Sequence, residues 1–185
     1  KAEGYDFYPP QTIQPFAVID SLLRFQLANL NDLRVTTLDL NPRINDHLAQ
    51  AVARARGGTG YPMVLARERG LEWTSRLAAY WDGFGERIAV AEPALASPQT
   101  VPQVRARALR ARPNVASLLD PRDLNIIVER LELADQDRFD LIVATDILVY
   151  YSVFEQSLAV ANIARMLRPG GLLLSNITLF ELPAL

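Results

Sequence analysis

The stretch RFDLIVATDILVYYSVFEQSLAVANIARMLRPGGLLLSN, residues 138–176, decides the fold of this chain. Its apolar, partly β-branched beginning at 139–150 predicts a buried strand that runs into a loop. Apolar positions at helical spacing predict a helix over 153–167, which Pro169-Gly170-Gly171 brings to an end. A second apolar run from Leu172 predicts another strand. Strand, helix and strand in this order indicate a parallel sheet covered by helices.

The same alternation is visible earlier in the chain. Residues 33–40 predict a buried strand, and Asn41-Pro42 predicts the cap and first turn of a helix that Gly57-Gly58 ends. The inward stripe of that helix is formed by Ile44, Leu48, Ala51, Val52 and Ala55. A preceding helix is predicted from apolar residues at helical spacing, with its cap near Thr12 or Gln14 and Pro15 in its first turn. Its apolar positions are Phe16, Ile19, Leu23 and Leu27.

The middle of the chain has a less regular pattern. Residues 59–122 are interpreted as an insertion or a decorated connection, with strands at 61–66 and 104–111 and a helix at 71–80. Residues 124–131 (LNIIVERL) predict a further strand before the deciding stretch. The prediction is therefore one α/β domain over residues 1–185, with helices on both faces of a mostly parallel sheet.

Composition excludes several classes of function. A net charge of −2 does not favour nucleic acid, and no apolar run reaches the roughly 20 residues that span a bilayer. With no cysteine and one histidine, His47, we expect no metal site, and the missing cysteines fit a cytoplasmic location. His47 is expected to be solvated, as are the arginines of the strand at 104–111 and Arg112. No G-x-S-x-G, G-x-x-x-x-G-K-[ST] or G-x-G-x-x-G motif is present.

Two carboxylates lie at predicted carboxyl ends of strands, where open α/β sheets bind ligands. Asp39 can accept hydrogen bonds from both hydroxyls of a ribose there, or it can simply cap the helix that follows. Asp146, with Thr145, ends the apolar run that begins at Phe139. A carboxylate in such a run needs either a ligand or nearby backbone N–H groups.

Other polar and aromatic residues complete the candidate site. Glu129 or Glu132 can accept a hydrogen bond from an adenine amino group, although solvated carboxylates are the commoner case. Tyr150 and Tyr151 can form walls for a ring or for a substrate.

The deciding stretch resembles the fourth strand, the following helix and the fifth strand of class I, Rossmann-like S-adenosylmethionine-dependent methyltransferases. Within that class it most resembles the chemotaxis-receptor glutamate methyltransferases, through its apolar strand, its polar pair, "LVYY" and "LRPGG". VTTLDLNPRINDHL is similar to that family's second strand with its acidic ribose ligand, and IQPFAVIDSLL to its first helix. Together, the segments that carry the resemblance cover about 90 residues.

The resemblance implies S-adenosylmethionine as cofactor and in-line attack of a substrate nucleophile on its sulfonium methyl group. It implies a cofactor site that includes Thr12, Asp39, Leu40, Glu129, Glu132, Thr145 and Asp146, and a substrate site that includes Tyr150, Tyr151 and Asn176. The methyl acceptor, a small molecule or a protein, is not specified by these residues.

The chain departs from the methyltransferase pattern near its amino-terminal end, and this departure favours other functions. The family's glycine-rich loop corresponds to residues 8–14, which contain Pro9 and Pro10 and no glycine. The first strand is barely present in GYDFY, and the sequence ends soon after Ser175, so we expect a chain truncated at both ends. An inactive methyltransferase-like binding module is therefore the alternative. A nucleotide-dependent oxidoreductase is a second one, which the missing G-x-G-x-x-G motif disfavours.

Overall fold

The computed structural model describes residues 10–68, 72–93 and 104–179. They form helices and both parallel and antiparallel strands, so the α/β class is confirmed. The described residues fall into two compact units. The first lies within residues 1–37 and 41–122, and the second within 38–40 and 123–185. The segment GYDFY lies outside the described residues.

The first unit begins with helix α1, Pro10–Arg24, whose Phe16 and Ile19 are fully buried. The predicted cap near Thr12 or Gln14 is wrong, because the helix already starts at Pro10 and Pro15 lies inside it. The prediction that Leu27 continues its apolar stripe is also wrong. Gln26 adopts a left-handed φ of 56°, and the Leu27 N–H donates to the Leu22 carbonyl oxygen at 2.9 Å, a Schellman-type ending.

Strand β1, Val35–Asp39, and helix α2, Pro42–Arg56, confirm the next two predicted elements. The side chain of Asn41 accepts a hydrogen bond from the Arg43 N–H at 3.1 Å, and Gly57 caps the other end of the helix. All five residues of the predicted inward stripe of α2 are buried. Local chemistry thus determines both ends of this helix.

An antiparallel sheet occupies the middle of the first unit. Its strands are β2, Tyr61–Glu68, β3, Ala89–Glu92, and β4, Val104–Ala111, in the order β2-β4-β3. The strands predicted at 61–66 and 104–111 are confirmed, whereas β3 was not predicted. Helix α3, Ser75–Gly83, begins later than the predicted helix at 71–80, whose first residue lies outside the described residues.

Arg107 and Arg110 of β4 have partners in the structure, contrary to the expectation that they are solvated. Arg107 donates to the carbonyl oxygens of Trp81 and Phe84, and its guanidinium lies 5.1 Å from the centroid of the Trp81 ring. Arg110 pairs with Glu92 on β3. These contacts join β4 to its neighbours, so the two arginines have structural partners.

Helix α4, Pro113–Ala116, leads into strand β5, Leu119–Asp123, which is hydrogen-bonded to β1 in a two-stranded sheet. The apolar core of the first unit gathers residues from α1, α2, the antiparallel sheet and α4. Its largest fully buried side chains are Phe16, Ile19, Leu48, Met63, Ile88 and Val115.

The second unit contains strand β6, Phe139–Ala144, helix α5, Val153–Met166, and strand β7, Leu167–Ser175. β6 and β7 are parallel neighbours, which confirms the strand–helix–strand prediction. The α5 amino terminus carries a capping box in which Ser152 and Glu155 satisfy each other's backbone N–H groups.

Helix α5 ends at Met166, and the Pro169-Gly170-Gly171 segment that was predicted to end it lies inside strand β7. Leu167 pairs with Phe139 and Leu172 pairs with Leu141, so the residues between Leu167 and Leu172 bulge away from β6. A Cβ atom on Gly171 would lie 3.0 Å from the Phe139 carbonyl oxygen, and Gly170 has a φ of +79°. The two glycines therefore permit a close return of the chain to the sheet.

The strand predicted at 124–131 is wrong, since these residues form a turn without ladder pairing. The Asn125 side chain accepts a hydrogen bond from the Ile127 N–H at 3.1 Å and so closes an Asx turn. Nδ2 of Asn162 on α5 donates to the carbonyl oxygens of Ile126 and Ile127, at 2.8 and 3.1 Å. Side chains thus take the backbone partners that a strand would need.

None of the helices described is long and apolar enough to cross a lipid bilayer.

Candidate functional site

Asp146 and Asn176 lie just beyond the carboxyl ends of the adjacent parallel strands β6 and β7. The Asp146 N–H donates to Oδ1 of Asn176 at 3.0 Å, and Nδ2 of Asn176 donates to Oδ1 of Asp146 at 2.6 Å. The structure therefore brings together two residues that the sequence assigned to a cofactor and a substrate site. They are 30 residues apart in the chain, and only the parallel pairing of the strands makes them neighbours.

Apolar neighbours hold this pair in place. Ile147 follows Asp146 and Ile177 follows Asn176, and both isoleucines pack against a cluster formed by Ala144, Leu148 and Ala159. The Ile177 N–H also donates to Oγ of Ser175 at 3.3 Å, which tightens the turn around Asn176. Each polar side chain is thus exposed while the next residue is anchored in the core of the unit.

The backbone at Asp146 is unusual. Its φ is +56°, in the left-handed region that residues other than glycine seldom adopt, with aspartate among those that tolerate it best. Asn176 supplies the acceptor for the Asp146 N–H in this conformation. The alternative from the sequence, in which nearby backbone N–H groups satisfy the Asp146 carboxylate, is not what the structure shows, because the partner is the Asn176 side chain.

Tyr150 ends a short 3-10 turn over Leu148–Tyr150 that follows Asp146, and Tyr151 comes directly after this turn. Tyr150 is 81% exposed, whereas Tyr151 is half-buried against the apolar cluster. Of the two, Tyr150 is the side chain accessible to another molecule. Thr145, which connects β6 to Asp146 in the chain, is half-buried.

Asp39 is the last residue of β1 and is half-buried, and Leu40 after it is exposed. The N-cap position of α2 is occupied by Asn41 and not by Asp39. Thr12 is fully buried within α1 of the first unit, at 1% exposure. Thr12 lies inside α1 and not at its cap, which corrects the sequence prediction.

The two glutamates do not end a strand, contrary to the sequence prediction. A carboxylate oxygen of Glu129 accepts the Asn125 N–H at 3.0 Å, which closes the turn at 125–129. Glu132 is exposed and pairs with Arg130 at 2.9 Å. Both carboxylates therefore have local partners, and each uses one oxygen for them.

His47 is not solvated as expected. Its Nε2 atom lies 2.8 Å from the Tyr61 hydroxyl oxygen, and the Tyr61 ring stacks on Phe16 with centroids 5.0 Å apart. Burial and the nearby charge of Arg54 lower the pKa of His47. In the part of the chain that the structure describes, no three acidic or histidine side chains group into a metal site.

Sequence reasoning missed the link between Asp146 and Asn176. The sequence holds one signal for it: both residues follow apolar runs that end in small polar residues, Thr145 and Ser175. Two such endings on parallel strands would meet at one edge of a sheet. Register decides whether they touch, and the sequence does not specify register.

Comparison with known proteins gives a match to a protein family. No curated protein matches the chain. Residues 96–175 match the family described as Methyltransferase domain, a region that contains β4, β5, β6, α5 and β7. The match is to that general family and not to the chemotaxis-receptor enzymes in particular.

Proposed function

We propose that this protein is an S-adenosylmethionine-dependent methyltransferase. The observation that carries the proposal is the methyltransferase-domain match over residues 96–175, which ends one residue before Asn176. The parallel α/β unit with polar residues beyond its strand ends supports it, because open α/β sheets bind ligands at that edge. The absence of cysteine from the sequence supports a cytoplasmic location.

The residues present fit such a cofactor in two respects. Asp39 ends a strand and offers a carboxylate for the two hydroxyls of a ribose, with Leu40 exposed beside it. Asp146 is exposed, and among the described residues its Oδ2 atom accepts no hydrogen bond. When bound, S-adenosylmethionine supplies a methyl group on a positively charged sulfur.

The other residues have supporting roles in the proposal. Thr145 adjoins Asp146 at the methionine side, and Thr12 belongs to helix α1. Glu129 or Glu132 would take the adenine amino group with the carboxylate oxygen not engaged by its local partner. Tyr150, Tyr151 and Asn176 would line the acceptor site, where exposed Tyr150 offers a ring face.

Calorimetric titration of the full-length protein with S-adenosylhomocysteine and S-adenosylmethionine tests the proposal, with NAD as the comparison ligand. We expect binding of both adenosyl compounds and no binding of NAD. Asp39→Ala should weaken the binding of S-adenosylhomocysteine by about 1.5–3 kcal/mol, the scale of a hydrogen bond to a charged group. Asp46→Ala is the matched control, because Asp46 is an exposed acid on α2.

A catalytically inactive binding module is the second candidate. It is favoured by residues 8–14, where prolines replace glycines and helix α1 already begins at Pro10. Failure of the full-length protein to bind either adenosyl compound would contradict the methyltransferase proposal and favour this module. Unchanged affinity in Asp39→Ala would return Asp39 to a structural role.

A further inference from the structure

We infer that Asn176 is a positioning residue that presents the Asp146 carboxylate to the ammonium group at the methionine end of the cofactor. The inference rests on the proposed function and adds a residue pair to it. Its basis is the two reciprocal hydrogen bonds between Asp146 and Asn176 beyond the ends of β6 and β7.

The two hydrogen bonds fix different parts of Asp146. The bond from its N–H to Oδ1 of Asn176 holds the backbone at φ +56°, and the bond from Nδ2 of Asn176 to Oδ1 holds the carboxylate. Because Oδ1 is engaged, the rotation of the carboxylate is restricted, and Oδ2 accepts no hydrogen bond among the described residues. A group that is oriented before the ligand arrives loses less side-chain entropy on binding.

The charge around Asp146 indicates what this oxygen binds. Asp146 belongs to none of the ion pairs among the described residues, whereas Asp140, on the same strand segment, pairs with Arg168 at 2.7 Å. Between Asp146 and Arg165 the only other charged residue is Glu155, which is engaged in the capping box. An exposed carboxylate that pairs with no cation among the described residues favours a positively charged ligand group.

An amine that accepts the methyl group is a poorer match for this carboxylate than the cofactor's ammonium. A nitrogen that attacks a methyl group needs its lone pair and must be uncharged, but a neighbouring carboxylate favours the protonated, charged form. The ammonium of the methionine end takes no part in bond formation and is charged at neutral pH. The Asp146 carboxylate can therefore hold that group without opposing the reaction.

The chain permits a charge-swap experiment. Asp146→Asn keeps an oxygen for Nδ2 of Asn176, removes the charge and replaces the second carboxylate oxygen by an NH2 group. Asn176→Asp removes the donor and places two carboxylates together. The double variant D146N/N176D restores donor and acceptor in reversed order, and it moves the carboxylate to position 176. Asp140→Asn, at an exposed pair on β6, is the matched control.

Each variant is titrated with S-adenosylhomocysteine and with 5′-methylthioadenosine, which lacks the amino-acid end, and its melting temperature is recorded. Asp146→Asn should bind S-adenosylhomocysteine about 10- to 100-fold more weakly and 5′-methylthioadenosine as the wild type does. Asn176→Asp should lower the melting temperature by several degrees, and the double variant should recover that loss. The double variant should nevertheless bind S-adenosylhomocysteine as weakly as Asp146→Asn.

The outcomes separate this inference from the proposed function. Wild-type protein that binds neither compound overturns both. If the wild type binds, the inference alone fails when Asp146→Asn binds S-adenosylhomocysteine normally, or loses both ligands equally. It also fails when the double variant regains affinity along with stability, since the position of the carboxylate would then be immaterial.

Discussion

Nε2 of His47 on α2 and the hydroxyl oxygen of Tyr61 on β2 are 2.8 Å apart and link the helix to the antiparallel sheet. Tyr61 is buried, stacks on Phe16 of α1 and meets the His47 ring edge to face, with centroids 5.7 Å apart. The only histidine of the chain thus lies at the junction of three elements of the first unit. This placement has a consequence for stability against pH.

The first unit should lose stability as the pH falls below the ordinary pKa of histidine, 6.5. Burial, with the charge of Arg54, lowers the pKa of His47 in the folded state, so the unfolded chain takes up the proton first. The contribution of neutral His47 to the free energy of unfolding is therefore complete above pH 6.5. It decreases as the pH falls from 6.5 through the lowered pKa. Urea unfolding at pH 7.5 and at pH 5.5 measures the difference.

His47→Gln is the comparison variant, because glutamine can bond to the Tyr61 hydroxyl and does not titrate. We expect a smaller loss of unfolding free energy between the two pH values in this variant than in the wild type. An equal loss in both proteins would assign the pH dependence to other groups.

A second prediction concerns the fully buried carboxylate of Asp20 on α1. Nη2 of Arg24 donates to Asp20 Oδ2 at 2.7 Å and also to the Gly83 carbonyl oxygen, and the Arg87 N–H donates to Asp20 Oδ1 at 3.3 Å. Arg24→Met should lower the free energy of unfolding by about 3 kcal/mol, because it leaves a buried charge without its cation. Urea titrations at pH 7.5 measure this change.

Arg122→Met is the control, since Arg122 pairs with Asp120 at the surface and its loss should change the free energy by less than about 1 kcal/mol. Adding Asp20→Asn to Arg24→Met removes the uncompensated charge and keeps an acceptor for Arg87. The double variant should therefore be more stable than Arg24→Met. A double variant that is less stable would contradict the assignment of the loss to buried charge.

The third prediction separates backbone strain from steric conflict at two glycines. Gly58 and Gly85 both have positive φ, +87° and +91°, but a Cβ atom on Gly58 would meet nothing within 4 Å, whereas one on Gly85 would lie 2.5 Å from Cδ1 of buried Leu109. Gly58→Ala should therefore lose only about 1 kcal/mol of unfolding free energy. Gly85→Ala should lose about 1–3 kcal/mol more, through overpacking against Leu109. Equal losses would mean that Leu109 moves aside freely.

Elements with strong local signals were predictable from the sequence. Asn41-Pro42 and Gly57 bound α2 through contacts within a few residues, and the spacing of its buried residues needs no tertiary information. The strand–helix–strand unit of β6, α5 and β7 was predictable for the same reason. Its parallel pairing followed from the helix between the two strands.

Features that depend on distant contacts were not predictable. LNIIVERL has the composition of a strand, but Asn125 closes a turn and Asn162, far along the chain, takes two of its carbonyl oxygens. In the candidate site, Asp146 was identifiable as a charge in an apolar run. Its partnership with Asn176 needed the register of β6 against β7.

The last prediction tests the role of Asn162 in shaping residues 124–131. Asn162→Ala removes both Nδ2 hydrogen bonds and leaves the Ile126 and Ile127 carbonyl oxygens unpaired next to α5, which should lower the free energy of unfolding by about 1–3 kcal/mol. Hydrogen exchange should quicken at Val128 and Glu129, whose N–H groups donate to the Asn125 carbonyl oxygen. Ser157→Ala, at a side chain of α5 that bonds only within the helix, should leave exchange at these two amides unchanged. Unaltered protection of Val128 and Glu129 in Asn162→Ala would mean that the Asn125 turn forms without help from α5, and that the local Asx turn alone keeps this segment from becoming a strand.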